Sequence, residues 1–232
     1  MEIKKLDWDS QFFGFPVGEI LIEKDFSHSI KLNTDVFKFF QVKSTFPLDI
    51  ISDTHVQSYW ETKIIFKKQI TENQYLTESI LDFDEFPLPE KSLYHLAYES
   101  GKYSRYKQDK NFSEGKFKQL YELWIVNSIN KSFADKIFYH KENEEILGFV
   151  TLKIIENNAQ IGLIAVSPNT QGRGLGKKLL QYAENFCYKK NIKTLFITTQ
   201  LENAPACNFY TKMGYEISDK TIIKHFWKNE NR

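Results

Sequence analysis

One stretch, Ile161 to Lys177, constrains this chain more than any other. It opens with an apolar run, Ile161 to Val166, that reads as a strand and stops at Ser167-Pro168. A glycine-dense turn follows, Gln171-Gly172-Arg173-Gly174-Leu175-Gly176. A helical pattern starts at once, with Leu175, Leu179, Leu180, Ala183, Phe186 and Cys187 on one face. Strand, glycine turn and helix in that order aim free backbone N–H groups at an anion. Four of the ten glycines lie between Gly162 and Gly176, so the turn is not a product of composition.

The spacing Gln-x-x-Gly-x-Gly is not that of a dinucleotide loop, and no acidic residue stands about 20 positions on to hold a ribose. No Gly-Lys-Ser/Thr follows Gly176, which argues against a nucleoside triphosphate loop. What remains is a helix start with three small positions, Gly172, Gly174 and Gly176, where a pyrophosphate can approach the backbone. Arg173 and Lys177 add positive charge. A tight turn with no ligand fits the same spacing, and the turn alone leaves both readings open.

Composition excludes several classes. The 232 residues suffice for one large domain or two small ones. A net charge of +1 points to no nucleic-acid or acidic-membrane partner. Aromatics reach 16%, a surplus that can fill a core and also line a pocket for a sugar or base. The two cysteines, Cys187 and Cys207, have no metal spacing, so no metal is expected; Cys187 reads as a buried thiol. Asp7 and Asp9 interrupt what a signal peptide would need, and no run approaches the roughly 18 apolar residues of a membrane span. The expectation is a cytoplasmic, reduced protein.

The periodicity predicts an α/β chain in three parts: a small α/β unit over 1–70, a linker over 71–91 and a larger α/β unit over 92–232. In the first, 17–22, 48–51 and 62–67 read as strands, and 30–40 as a helix through Ile30, Val36, Phe37 and Phe40. The linker carries acids and two prolines with little periodicity. In the last, a short helix ends at Gly101, and Lys102-Tyr103-Ser104-Arg105-Tyr106-Lys107 forms a basic aromatic loop. An amphipathic helix runs through Phe117, Leu120, Tyr121, Trp124, Ile125 and Ile129. A hairpin follows, 136–140 with 146–155, and strands are expected at 160–166, 194–199 and 222–227. Asn203 is an N-cap candidate for a helix that stops at Gly214.

The run from Gly162 to Tyr215 resembles the acetyl-CoA-binding half of the GNAT N-acetyltransferase superfamily. The matching residues are the strand end Ala165-Val166, Gln171-x-x-Gly174-x-Gly176, the strand 195–199, and Asn203-x-x-Ala206-x-x-Phe209-Tyr210-x-x-x-Gly214-Tyr215. The resemblance implies a GNAT domain over 92–232, with a mixed, splayed central sheet flanked by helices. It implies acetyl-CoA as donor, its pantetheine arm between strands 161–166 and 195–199. Ala165 and Val166 would meet the pantetheine and acetyl carbonyl through their backbone. Gln171, Gly172, Arg173, Gly174, Leu175, Gly176 and Lys177 would hold the pyrophosphate, with Asn203 and Tyr210 near the thioester sulfur. Tyr210 is then the expected proton donor to the leaving thiolate. A phenol at about 10 and a thiol at about 8.5 make full transfer uphill by about 2 kcal/mol. Tyr210 must therefore gain a proton from the ammonium side or act mainly as a hydrogen-bond donor to sulfur. Without the superfamily, its neighbours Phe209 and Met213 would make it a core aromatic.

Two further stretches are similar to the dTDP-fucosamine acetyltransferase family. They are Leu6-Asp7-Trp8-Asp9-Ser10-x-Phe12-Phe13-Gly14-x-Pro16-Val17-Gly18 and Ala97-x-Glu99-Ser100-Gly101-x-Tyr103-Ser104-Arg105-Tyr106-x-x-Asp109-x-Asn111-Phe112. Leu120-Tyr121-x-Leu123-Trp124-Ile125 and Lys224-His225-Phe226-Trp227 fit the same pattern. This likeness implies acetylation of the 4-amino group of a dTDP-4-amino-4,6-dideoxyhexose, a nucleotide sugar feeding cell-surface polysaccharides such as lipopolysaccharide, by a homodimer. Lys102, Arg105 and Lys107 beside Tyr103 and Tyr106 could meet the phosphates and base; a solvated basic loop is the plainer alternative. His225 could relay a proton, although a lone His on a closing strand is more often structural. Asp7, Asp9 and Glu99 are candidate partners for the amine or sugar hydroxyls. A protein amine as acceptor, and a non-catalytic acyl-CoA-binding module, are the competing readings.

Overall fold

Strands from both ends of the chain hydrogen-bond into one sheet, and that sheet sets where everything else sits. The computed structural model describes residues 3–23, 29–71 and 79–229. Its strands are β1 (Lys4–Lys5), β2 (Val17–Ile22), β3 (Ser29–Lys31), β4 (Phe39–Ser44), β5 (Asp49–Ile51), β6 (His55–Gln69), β7 (Leu81–Asp82), β8 (Lys136–Glu142), β9 (Glu145–Ile155), β10 (Asn158–Val166), β11 (Thr194–Gln200) and β12 (Glu216–Lys228). The helices are α1 (Asp7–Phe13), α2 (Tyr94–Ser100), α3 (Arg105–Gln108), α4 (Glu114–Ile129), α5 (Leu175–Lys189) and α6 (Ala204–Lys212). Among the described residues, ten strands form a mixed sheet in the order β1-β2-β4-β12-β6-β11-β10-β9-β8-β7, and β3 pairs with β5 apart from it.

The sheet runs across the division expected between 1–70 and 92–232. The 15-residue β6 lies between β12 and β11, antiparallel to both, with Glu61 opposite Ile223 and Lys63 opposite Gln200. Residues 72–78 of the expected linker lie outside the described residues. On one face, α5 and α6 pack against Ile64, Phe66, Leu195 and Ile197, and Leu179, Leu180 and Cys187 of α5 are all buried there. On the other, Leu96 and Ala97 of α2 and Phe117, Leu120 and Ile125 of α4 cover Phe149 and Leu163. Each fully buried Leu or Phe contributes roughly 1.5–3 kcal/mol, so both helical layers are held firmly. The Cys187 thiol is buried as expected, and desolvation pushes its pKa up to about 12.

Most expected elements form, with local reasons. The hairpin β8–β9 turns at Asn143 and Glu144, both at positive φ. Ser113 caps α4 by accepting the Lys116 N–H at 3.2 Å. Asn203 caps α6 by accepting the Ala206 N–H at 3.3 Å. The helix expected over 30–40 does not form. Ile30 lies in β3 and Phe40 in β4, while Val36, at the centre of the expected apolar stripe, is 70% exposed. Thr34 Oγ1 accepts the Val36 N–H at 3.2 Å and turns the chain. Phe39, Phe40 and Val42 then enter a parallel strand beside β2, buried on both faces, where apolar residues pointing both ways imitate a helical stripe.

Candidate active site

A wedge opens in the sheet between β10 and β11. Their parallel pairing runs from Asn158 opposite Thr194 to Ile161 opposite Ile197 and then stops. Beyond it, Gly162 to Val166 and Thr198 to Gln200 line a cleft of about 1260 Å³. The cause is local: the β9–β10 register slips between Ile161 and Ile164, and Thr151 Oγ1 accepts the Leu163 N–H there at 2.8 Å. The Ser167 N–H returns to Leu147 O of β9 at 2.7 Å. Strand alternation therefore turns the amides of Ile164 and Val166 the other way, into the wedge.

The glycine turn stands at the mouth of this wedge. Gly172 and Gly174 sit at φ of +80°, where L side chains are strained. Gly174 is the N-cap of α5 and supplies no capping side chain, so the first-turn amides of α5 stay free. Gln171, Gly172, Gly174, Leu175, Gly176 and Lys177 line the cleft, as do Ala165 and Val166. Arg173 is exposed and does not line it. Gln171 Nε2 donates to Val166 O at 3.3 Å, tying the turn to the strand end. Free amides, a helix N-terminus and Lys177 fit a pyrophosphate.

Tyr210 and Asn203 face the same cleft from α6. Asn203 is committed to the fold at both ends of its amide: besides its cap, its Nδ2 donates to Thr199 Oγ1 at 3.3 Å. Tyr210 is 5% exposed, packs against Phe66 and Tyr215, and its hydroxyl has no hydrogen-bond partner among the described residues. Burial pushes its pKa well above that of an ordinary phenol, so it stays protonated.

The wall of the same cleft also holds a carboxylate that the sequence reading missed. Glu61, on β6, is 0% exposed yet lines the cleft wall. Its Oε2 accepts from Tyr59 Oη at 3.1 Å and its Oε1 from Arg105 Nη1 at 3.4 Å. Burial raises its pKa above the ordinary 4.5, and Arg105 offsets only part of that. Lys63, two positions along, shares its face of the sheet. The available signal was an acid beside the run 62–67 read as a strand: at an inward strand position it is out of pattern unless something needs it.

The expected acceptor residues separate. Tyr103, Arg105 and Tyr106 all line the cleft, with Lys102 and Glu99. Arg105 is no solvated loop residue: it begins α3, its side chain is only 21% exposed, and its guanidinium lies over the Tyr106 ring at 4.7 Å. Lys107 points elsewhere and pairs with Glu114. Asp7 pairs with Lys5 at 2.9 Å outside the cleft. Burial raises the pKa of Asp9, which does not line the cleft either. His225 is fully buried behind Tyr59 and does not line the cleft; its Nδ1 meets Asp109 at 2.8 Å. No group of residues suited to a metal ion occurs among the described residues, and no helix there is long and apolar enough to cross a membrane.

Against this geometry, the model of the acetyltransferase (GNAT) family matches residues 82–215, more than half of the chain. The chain belongs to the GNAT family. Among relatives of this GNAT chain, the spore coat polysaccharide biosynthesis protein SpsD of Bacillus subtilis is 26% identical over 137 residues, covering 59% of this chain and 47% of the relative. The dTDP-fucosamine acetyltransferase of Escherichia coli O6:H1 is 31% identical over 101 residues, 43% of this chain and 42% of the relative. The match thus spans under half the length of these relatives. A putative GNAT acetyltransferase from Novosphingobium aromaticivorans has the same fold, with a TM-score of 0.53 at 10% identity, over 82% of this chain and 74% of that one.

Proposed function

We propose that this GNAT chain transfers acetyl from acetyl-CoA to the 4-amino group of a dTDP-4-amino-4,6-dideoxyhexose. The observation that carries the reading is a single cleft joining the glycine turn and Tyr210 to Glu61, Lys63 and Arg105. At about 1260 Å³ it exceeds the roughly 300–1,000 Å³ of a pocket for one small ligand. Donor and acceptor fit into it end to end. The 31% identity to a dTDP-fucosamine acetyltransferase and the likeness to a polysaccharide biosynthesis protein favour the sugar.

The chemistry follows from the geometry. The pyrophosphate of acetyl-CoA lies on the α5 amides and its pantetheine in the β10–β11 wedge. The neutral amine attacks the thioester carbonyl carbon, and the Val166 or Ile164 N–H stabilises the oxyanion. The carbon–sulfur bond then breaks and the thiolate leaves toward Tyr210. Burial makes proton loss from Tyr210 costlier than the reference pKa values imply, so it donates a hydrogen bond to sulfur and keeps its proton. The ammonium proton passes to the Glu61 carboxylate through water, and solvent later protonates the thiolate. The raised pKa of Glu61 suits a proton acceptor working near neutral pH.

A screen of amines with acetyl-CoA, read by thiol release, tests the proposal. Turnover with dTDP-4-amino sugars and none with peptides is expected. Turnover with peptides alone would move the acceptor to a protein amine. Tight CoA binding without turnover on any amine would make the chain an acyl-CoA-binding module.

A further inference from the structure

Arg105 and Glu61 form the acceptor end of the cleft from two elements far apart in sequence, and neither holds itself in place. The helix bearing Arg105, α3, is four residues long. A single turn is far below the length at which a helix is stable alone, so its placement must come from what anchors it. Tyr106 provides an apolar footing through Phe13 and Phe112, with ring centroids at 5.8 and 5.4 Å. Ring contacts are weakly directional, whereas an ion pair needs both partners fixed to within about half an ångström.

The directional anchor is Asp109, the residue that ends α3. Its N–H donates to Arg105 O at 2.9 Å, so its place fixes the backbone of Arg105. Its carboxylate is buried and fully satisfied. Oδ2 accepts from Ser58 Oγ at 2.9 Å, His225 Nδ1 at 2.8 Å and Trp227 Nε1 at 3.0 Å. Oδ1 accepts from the Asn111 backbone N–H at 3.1 Å and from its side-chain amide at 3.0 Å. Ser58 explains the link to Glu61. The β12–β6 register slips between His225 opposite Tyr59 and Phe226 opposite Gln57, leaving Ser58 as the extra residue of a bulge. A bulge re-aims a side chain, and here it turns the Ser58 hydroxyl onto Asp109, three residues before Glu61 on the same strand.

We propose that Asp109 is the positioning residue of the acceptor site. One carboxylate references the Arg105 helix and the Glu61 strand to each other, and so sets the Arg105–Glu61 pair that faces the acceptor. This rests on the reading of that end of the cleft as the acceptor side, and not on which amine is acetylated. His225 and Trp227 serve as donors that hold Asp109 from β12.

A double-mutant cycle tests it, using any amine that turns over. Asp109→Asn keeps shape but sets an N–H₂ against donors. It is expected to raise the acceptor KM about 10-fold while the acetyl-CoA KM stays within about twofold. Arg105→Gln is expected to raise the acceptor KM by a similar factor. In the Arg105→Gln background, Asp109→Asn should add less than about twofold, because residues acting through one another are not additive. Should Asp109→Asn fail to fold, Ser58→Ala carries the same cycle with an expected effect of about threefold. Additive effects, equal rises in both KM values, or an unchanged acceptor KM in Asp109→Asn would overturn the proposal. If Arg105→Gln leaves the acceptor KM unchanged, the acceptor assignment fails and this inference falls with it. If only Asp109→Asn and Ser58→Ala are silent, this inference alone fails.

Discussion

The two ends of the cleft, one proposed for the donor and the other for the acceptor, are built on different principles. The donor end is mostly backbone: the amides of β10, the free first turn of α5 and two glycines at positive φ, all within residues 161–177. The acceptor end is mostly side chains: Glu61, Lys63, Tyr103, Arg105 and Tyr106, from two segments, with Asp109, Ser58, His225 and Trp227 behind them. Backbone recognises what every acetyl-CoA presents, and any sequence that makes the turn can do it. Side chains brought together by a ten-stranded sheet can be exchanged one at a time, so acceptor choice can drift while the donor end stays put.

Tyr210 is the exception at the donor end, a side chain for which a role in the chemical step is proposed, and removing its hydroxyl is the strongest test of the contrast. Tyr210→Phe keeps the ring packing against Phe66 and Tyr215. It is expected to lower kcat about 100-fold or more, with acetyl-CoA affinity nearly unchanged in a direct binding measurement. A wild-type kcat would return Tyr210 to the core and leave the donor end purely backbone.

The same contrast explains what could be read in advance. The turn from Gln171 to Gly176, the strands 160–166 and 194–199 and the Asn203 cap are contiguous or short-range, and local spacing reports them; Tyr210 and the gap between the strands come only with the family resemblance. The expectation for 30–40 went wrong because β4 lies inside the sheet between β2 and β12 with both faces covered, Phe39 clustering with Phe13 and Phe112, and Phe40 and Val42 with Leu32 and Leu48, which no local period reveals. Glu61 went unread for a related reason. Its importance depends on β6 lying in the middle of the sheet and on Arg105, 44 residues away, closing over it. Arg105 was found, but as a candidate contact for the acceptor's phosphates, because nothing near it in sequence announces the buried acid it meets.

Glu61→Gln probes the acceptor end at its centre. The wild-type kcat/KM for the acceptor should rise with pH as Glu61 ionises, through a pKa raised above 4.5 by burial. The variant should lose that limb and fall about 10- to 100-fold on its plateau, while acetyl-CoA binding is unaffected. The acceptor ammonium contributes its own limb, common to both proteins, so the difference between the profiles isolates Glu61. Identical profiles would show that water alone takes the proton.

The support behind the acceptor end should also betray itself in acid. His225 titrates near 6.5 when unfolded, and burial lowers it to about 4 in the folded chain, beside an Asp109 held at about 2 by its donors. Between pH 6.5 and 4 the unfolded chain binds a proton that the folded chain does not. The contribution of His225 is therefore fully present above 6.5 and is lost as pH falls toward 4. Melting temperature followed across that window should decline in the wild type and stay flatter in His225→Gln. Parallel curves would mean that His225 is not the group whose protonation weakens the fold there.

The smallest expected effect belongs to a methyl group at the donor end. Gly174→Ala asks for a φ of +80° from a residue with a Cβ, although no atom lies within 4 Å of where that Cβ would stand. The cost is therefore conformational, about 1 kcal/mol, and it falls on the turn that must keep its shape to bind. Acetyl-CoA KM should rise roughly fivefold, the equivalent of that energy, with acceptor KM and kcat unchanged. A rise in acceptor KM of the same size would mean that strain in the turn travels along the cleft. Backbone and side-chain ends would then be one mechanical unit, and the independence on which the comparison rests would be lost.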